Sequence, residues 1–180
     1  LEYEDIHDRV IVVDSVSKRF SSCGARIGAV ITWNEDVYQT VLKFAQARLC
    51  PPSLEQKGAL AAYRMNPDYF NPVRVEYQKR RDILFNELKD FPGIVLDKPQ
   101  GAFYNITKLP IKDSEHFVRW MLTDFQIDNE TVMVAPAQGF YSTPGKGINE
   151  VRIAYVLNEK DLRRALYLLK AGLEKYNKLY

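Results

Sequence analysis

Asp14-Ser15-Val16-Ser17-Lys18-Arg19-Phe20-Ser21-Ser22-Cys23-Gly24-Ala25-Arg26-Ile27-Gly28 is the stretch on which the reading of this chain turns. It follows a β-branched run, Val10-Ile11-Val12-Val13, and precedes another, Ala29-Val30-Ile31-Thr32, so it reads as a polar loop between two strands. The loop puts Lys18 just past a strand end, with Ser17 one residue and Ser15 three residues before it. Arg26 follows eight residues later, flanked by Gly24 and Gly28. An amine can form an imine with an aldehyde carbon, while hydroxyls and a guanidinium can meet a phosphate dianion through charge-assisted hydrogen bonds. Glycines beside them allow close backbone approach. The set suits a phosphorylated aldehyde. Lysine and serine content alone favours a basic, serine-rich surface loop, so the spacing has to decide.

The bulk composition narrows the classes. A chain of 180 residues with 46% hydrophobic and 27% charged content can bury one good core or two small ones, which excludes a disordered chain. Its 25 basic and 23 acidic residues leave a charge of +2 with no long block of either sign, so nothing asks for nucleic acid or a lipid surface. Cys23 and Cys50 lack CxxC spacing, and His7 and His116 are the only histidines, which argues against a zinc site or a disulfide framework. Both thiols are expected to be reduced, half-buried and inert. No apolar run approaches the roughly 18 residues of a membrane helix, and Leu1-Glu2-Tyr3-Glu4-Asp5 has no signal-peptide character. The expectation is a cytoplasmic protein without a membrane partner. A start at Leu1, close to what reads as a domain interior, implies that upstream sequence is missing.

Along the chain, Asn34 is placed to cap a helix to about Leu49, where Pro51-Pro52 breaks it. Ser53 and Gln56 form a capping-box pattern for a helix to about Met65. Asn71-Pro72 opens a third helix, with Val73, Tyr77, Arg80, Leu84, Leu88 and Phe91 along one stripe. Residues 94–97 and 102–107 flank Lys98-Pro99-Gln100-Gly101 as a hairpin. A helix over about 114–125 is expected to bury Phe117, Val118, Met121, Leu122 and Phe125. Residues 132–135 and 151–157 read as strands, and Asn158 caps a last helix burying Leu162, Ala165, Leu166, Leu169, Leu173 and Tyr176. His7, His116, Trp33 and Trp120 read as packing or surface residues. From about Pro72 the pattern is a self-contained α+β module. The first thirty-odd residues instead look like the cut edge of a larger parallel sheet.

Ser-x-Ser-Lys followed by Gly-x-Arg-x-Gly resembles the cofactor-lysine signature of the class I and II aminotransferases of the aspartate aminotransferase fold. Pro99-Gln100-Gly101-Ala102-Phe103-Tyr104 is similar to that family's Pro-x-Gly-x-Phe-Tyr hairpin, and Val134-Ala135-Pro136 followed by Val151-Arg152-Ile153-Ala154-Tyr155 to its last landmark. The likeness runs from about Val12 to Leu169, in order. It implies an α/β parent of the pyridoxal-phosphate-dependent transferase fold. Residues 1–35 would be the remnant of its large domain, 36–71 connecting helices, and 72–180 an α+β small domain. It further implies that Lys18 holds pyridoxal 5'-phosphate, that Ser15 and Arg26 bind the phosphate with Ser17 as a weaker candidate, and that Arg152 grips the substrate α-carboxylate. By alternation Arg152, Ala154 and Val156 share one face, and Val151, Ile153 and Tyr155 the other, leaving the guanidinium on a mostly apolar surface that wants an anion.

The implied activity is transamination between an amino acid and a 2-oxo acid, in a parent that forms a homodimer. Lys18-Arg19-Phe20-Ser21 with Cys23, and the loop 140–145, resemble a bacterial subgroup called aspartate aminotransferases. One departure stands out. Where many relatives have Pro-Gly-x-x-Phe-Gly, this chain has Pro136-Ala137-Gln138-Gly139-Phe140-Tyr141, so loop geometry beside the substrate differs and specificity is not carried over. The family's pyridine-facing aspartate, stacking aromatic residue and glycine-rich helix start all precede the lysine by many residues, so these 180 residues alone are expected to be inactive. The competing readings are an aminotransferase-like effector module of a regulator, or a packing module without chemistry.

Overall fold

The computed structural model describes residues 3–180. It divides into two units, the first ending at Pro67 and the second running from Asp68 to Tyr180.

In the first unit, β1 (Ile11–Ser15) and β2 (Gly28–Thr32) pair with each other in antiparallel register, from Ile11 opposite Thr32 to Ser15 opposite Gly28. This corrects the expectation of a parallel edge. A β-branched run marks a strand made for burial but carries no information on direction, whereas the loop over 16–27 folds back tightly enough for Val16 N–H to donate to the Ile27 carbonyl at 3.2 Å. The Thr32 hydroxyl donates to the Val10 carbonyl at 2.9 Å and closes the open end. α2 (Glu35–Arg48) starts as expected, the Asn34 side chain accepting from Val37 N–H. α3 (Ser53–Tyr63) does not form the expected capping box. Pro52 holds the cap position, Ser53 lies inside the helix, and the Gln56 amide turns back to the Pro51 carbonyl at 2.7 Å.

Among the described residues of this unit only Val16 is buried; Val13 is 76% exposed, Phe44 70% and Leu54 80%. A two-stranded ribbon without a covered face is marginal by itself. The unit's apolar faces are therefore made for burial they do not find within it. Cys23 and Cys50 are free, and both are exposed rather than half-buried, because each lies in the first unit, which has no core to cover it.

The second unit owns a core. α4 (Phe70–Leu88) opens two residues before Pro72, which occupies a first-turn position whose N–H has no helical partner to lose. A sheet of order β3-β4-β6-β5 follows, built from β3 (Val95–Leu96), β4 (Tyr104–Lys108), β5 (Ala135–Pro136) and β6 (Glu150–Ala154), every pair antiparallel. The strand expected over 132–135 reaches the ladder only at Ala135–Pro136, and that expected over 151–157 ends at Ala154. β5 is an edge strand containing a proline that cannot donate, and Met133 beside it is 74% exposed.

α5 (Ser114–Thr123) is capped by the Asp113 carboxylate, which accepts from Glu115 and His116 N–H, and α6 (Glu159–Leu179) by Asn158, as expected. Leu162, Leu166, Leu169, Leu173 and Tyr176 of α6 are buried against Leu84 and Leu88 of α4, Phe117 and Met121 of α5, Val151 and Ile153 of β6, and Tyr155 just beyond it. Leu122 was expected in that core and is instead 48% exposed, while Trp120 is buried. The buried face of α5 runs through Phe117, Val118, Trp120 and Met121 and continues to Phe125 just past the helix, which leaves position 122 at its rim. Gly172 lets α6 approach α5, since a Cβ there would collide with the Met121 sulfur. Glu87 joins α4 to α6 by ion pairs to Lys170 and Arg163, each at 2.8 Å.

This packing makes a direct prediction. Met121→Ala should lower unfolding stability by about 2–5 kcal/mol in chemical denaturation, whereas Leu122→Ala should stay within about 0.5 kcal/mol of the parent. Equal losses would mean that α5 is rotated from the register described.

Candidate active site

The lysine loop is organised by one short turn. Ser15 caps α1 (Val16–Arg19), its Oγ accepting from Ser17 N–H at 3.3 Å, and the buried Val16 anchors the turn so that Lys18 projects from the exposed side. Ser15, Ser17 and Lys18 thus share one turn at the end of β1. Arg26 sits at the far end of the loop in the left-handed region (φ 55°), its Nη1 donating to the Cys23 carbonyl at 2.8 Å. Gly28 suits the point where the loop rejoins the ladder, since a Cβ there would stand 3.0 Å from the Asp14 carbonyl oxygen, a tight contact.

No acidic residue lies between Ser15 and Gly28, and the acid that precedes them is already engaged. Asp14 accepts from Ser15 N–H at 2.8 Å, from Arg19 at 2.9 Å and from the Tyr63 hydroxyl at 3.2 Å. The Ser15 N–H foremost, then Arg19 and Tyr63, hold its carboxyl below the ordinary value against the opposing effect of desolvation. Tyr63 also packs edge-on to Phe20, with ring centres 5.2 Å apart. The donor set of the loop, an amine, two hydroxyls and a guanidinium, therefore fits a phosphorylated aldehyde without a carboxylate of its own segment to compete.

Arg152 belongs to the second unit. On β6 it pairs with Ile106 of β4 and Ala135 of β5, while Val151, Ile153 and Tyr155 are buried on the opposite face. Its guanidinium carbon lies over the Tyr104 ring at 4.5 Å and the Phe140 ring at 4.6 Å. Among the described residues it makes no ion pair. It borders an open, largely apolar cavity of about 510 Å³ whose walls include Val134, Pro136, Ala154 and Leu162. Two rings orient the fork by cation–π attraction and leave its in-plane N–H groups for an anion. The sequence pattern passed over these rings as contacts of Arg152. Tyr104 could have been found, since it stands on the same face of β4 two residues from the partner of Arg152. Phe140 could not, because it reaches the strand from an irregular loop.

The family model for aminotransferase class I and II matches residues 2–169. The chain belongs to the class I and II aminotransferases. It is 33% identical over 175 residues to an aspartate aminotransferase of Sulfurisphaera tokodaii, covering 94% of this chain and 42% of that protein. Among solved structures it matches the aspartate aminotransferase of Rhizobium meliloti with a TM-score of 0.78 at 27% identity, over 96% of this chain and 44% of that one. It matches the aromatic aminotransferase of Pyrococcus horikoshii OT3 with a TM-score of 0.81 at 26% identity, over 97% of this chain and 46% of that one. The chain therefore spans less than half the length of these relatives and shares the aspartate aminotransferase fold over that span. Among the described residues, no helix is long and apolar enough to cross a membrane.

The geometry around Asp14 is directly measurable. An NMR titration should find its carboxyl below the ordinary range, and Arg19→Ala should raise it only part of the way, because the Ser15 N–H remains. A full return to the ordinary value would assign the effect to Arg19 alone.

Proposed function

We propose that this chain carries the cofactor lysine and the substrate-carboxylate arginine of a pyridoxal-phosphate-dependent aminotransferase, and that the protein it represents exchanges an amino group between an amino acid and a 2-oxo acid. The observation that carries the reading is the loop of Ser15, Ser17, Lys18 and Arg26, intact in a member of this family and adjoined by an acid that Arg19 and Tyr63 already hold. Residues 1–35 are assigned to the cofactor-binding large domain, 36–71 to connecting helices and 72–180 to the small domain. Aspartate is the proposed amino donor, supported by the names of two relatives. The protein acts in the cytoplasm as a homodimer.

Pyridoxal phosphate, when bound, supplies an aldehyde carbon and a ring that draws electrons from the substrate Cα. The chain's own residues do the rest. The Ser15 oxygen accepts from Ser17 N–H, so its hydroxyl hydrogen remains to donate to a phosphate oxygen, and Ser17 Oγ and Arg26 add further donors. Lys18 Nζ would hold the aldehyde carbon and, in its unprotonated form, would serve as the base that takes the proton from the substrate Cα. Arg152 receives the α-carboxylate with two parallel N–H donors and so aims the Cα–H bond.

The exposed apolar face of β1 and β2 favours a second reading, a module that only packs against other parts of a protein. Transamination separates the two. The 180 residues alone should show no measurable turnover, whereas the chain extended by an amino-terminal half like that of its relatives should give a visible absorption band with pyridoxal phosphate. Lys18→Ala should abolish that band, and Arg152→Ala should preserve it while raising KM for the amino acid. A band that survives Lys18→Ala would overturn the assignment.

A further inference from the structure

An arginine meant for an incoming carboxylate is compromised if its own strand offers one. Glu150 and Arg152 lie two residues apart on the same face of β6, about 7 Å from Cβ to Cβ, a span that the two long side chains can close. Yet no ion pair joins them among the described residues. Glu150 Oε2 instead accepts a hydrogen bond from the Tyr141 hydroxyl. Lys108, directly across the ladder on β4, makes no ion pair with Glu150 either.

Tyr141 is held in place for this contact. Its N–H donates to the Gln138 carbonyl at 3.3 Å, and its ring lies flush on Gly147, where a Cβ would come within 2.6 Å of Cδ2 and 2.8 Å of Cε2. Gly147 has φ +75°, so a side chain there would be strained for a second reason. Two backbone bonds at Glu150 close the loop, from Ala137 N–H to the Glu150 carbonyl at 2.9 Å and from Glu150 N–H to the Gly147 carbonyl at 3.0 Å. The bond to Glu150, with burial and charge adding to it, pushes the Tyr141 hydroxyl above its ordinary pKa, so it stays a donor at neutral pH. Tyr141 also stands where the Pro-Gly-x-x-Phe-Gly pattern has a glycine, which could make no such contact.

We propose that Tyr141 is a positioning residue that latches the Glu150 carboxylate away from Arg152 and so keeps the guanidinium open to a carboxylate ligand. The inference rests on the reading of Arg152 as the substrate-carboxylate clamp. Without the latch, Glu150 competes from within the strand, at an effective concentration that a free ligand has to overcome.

The test follows the Arg152 Nε–Hε resonance by NMR in the 180-residue chain, with succinate as the probe carboxylate. Without ligand, Glu150→Gln should barely move that resonance in the parent, and should move it clearly in the Tyr141→Phe background, where the carboxylate has turned to Arg152. With succinate, Tyr141→Phe should bind about two- to sixfold more weakly than the parent, as expected when an exposed ion pair competes with a ligand. The double variant Tyr141→Phe/Glu150→Gln should recover parental affinity, which general loosening of the loop would not allow. A Tyr141→Phe resonance indifferent to Glu150→Gln, or unchanged succinate affinity in Tyr141→Phe, would overturn the latch. If the ligand-free result holds but succinate leaves Arg152 unmoved in the parent, the clamp reading of Arg152 has failed and the proposal's purpose falls with it.

Discussion

The alternation along β6 is the constraint on which the second unit depends. Val151, Ile153 and Tyr155 are driven into the core beneath α6, and that burial forces Arg152 and Glu150 to the other face whatever their own preferences. Because β6 is flanked by β4 on one side and β5 on the other, its backbone cannot shift register without exposing three large apolar side chains. The core on the opposite face of the strand thus holds Arg152 in register. Tyr104 and Phe140 then fix its orientation, and Tyr141 disposes of the nearest acid.

The first unit is governed by a different balance. It lacks a core of its own, and its apolar residues on β1, β2 and α2 remain largely open. What order it has comes from directional contacts: the β1–β2 ladder, the Asn34 cap, and the knot of Asp14, Arg19 and Tyr63 below the lysine loop. Those contacts specify the loop's local shape, while its stability must come from burial that these residues do not supply among themselves.

Periodic features were legible in the sequence and irregular ones were not. The face of β6, the stripe of α6, and the caps at Asn34 and Asn158 follow from spacing, and the structure has them. The antiparallel pairing of β1 with β2 was missed because strand composition does not encode direction. Ser53 has a cap's spacing to Gln56, but Pro52, with φ -58° and ψ 137°, already occupies the cap position. Leu122, four residues from the buried Val118 and three from the buried Phe125, lies at the rim of the α5 face, so apolar character and spacing alone do not separate it from the core. The approach of Phe140 to Arg152 and of Tyr141 to Glu150 depends on a loop closed by Gly147, for which no periodic signal exists. The loop around Lys18 is local in sequence, with Ser15, Ser17, Lys18 and Arg26 all on the one segment from the end of β1 to the start of β2.

The proposed role of the loop of Ser15, Ser17 and Arg26 is to direct pyridoxal phosphate to Lys18 rather than to the other lysines of this protein. The most direct measurement is borohydride trapping of pyridoxal phosphate on the chain extended at its amino terminus, followed by peptide mass mapping of the label. The expected result is label on the peptide containing Lys18, lost in Lys18→Ala. Label spread over surface lysines and unaffected by that substitution would contradict it.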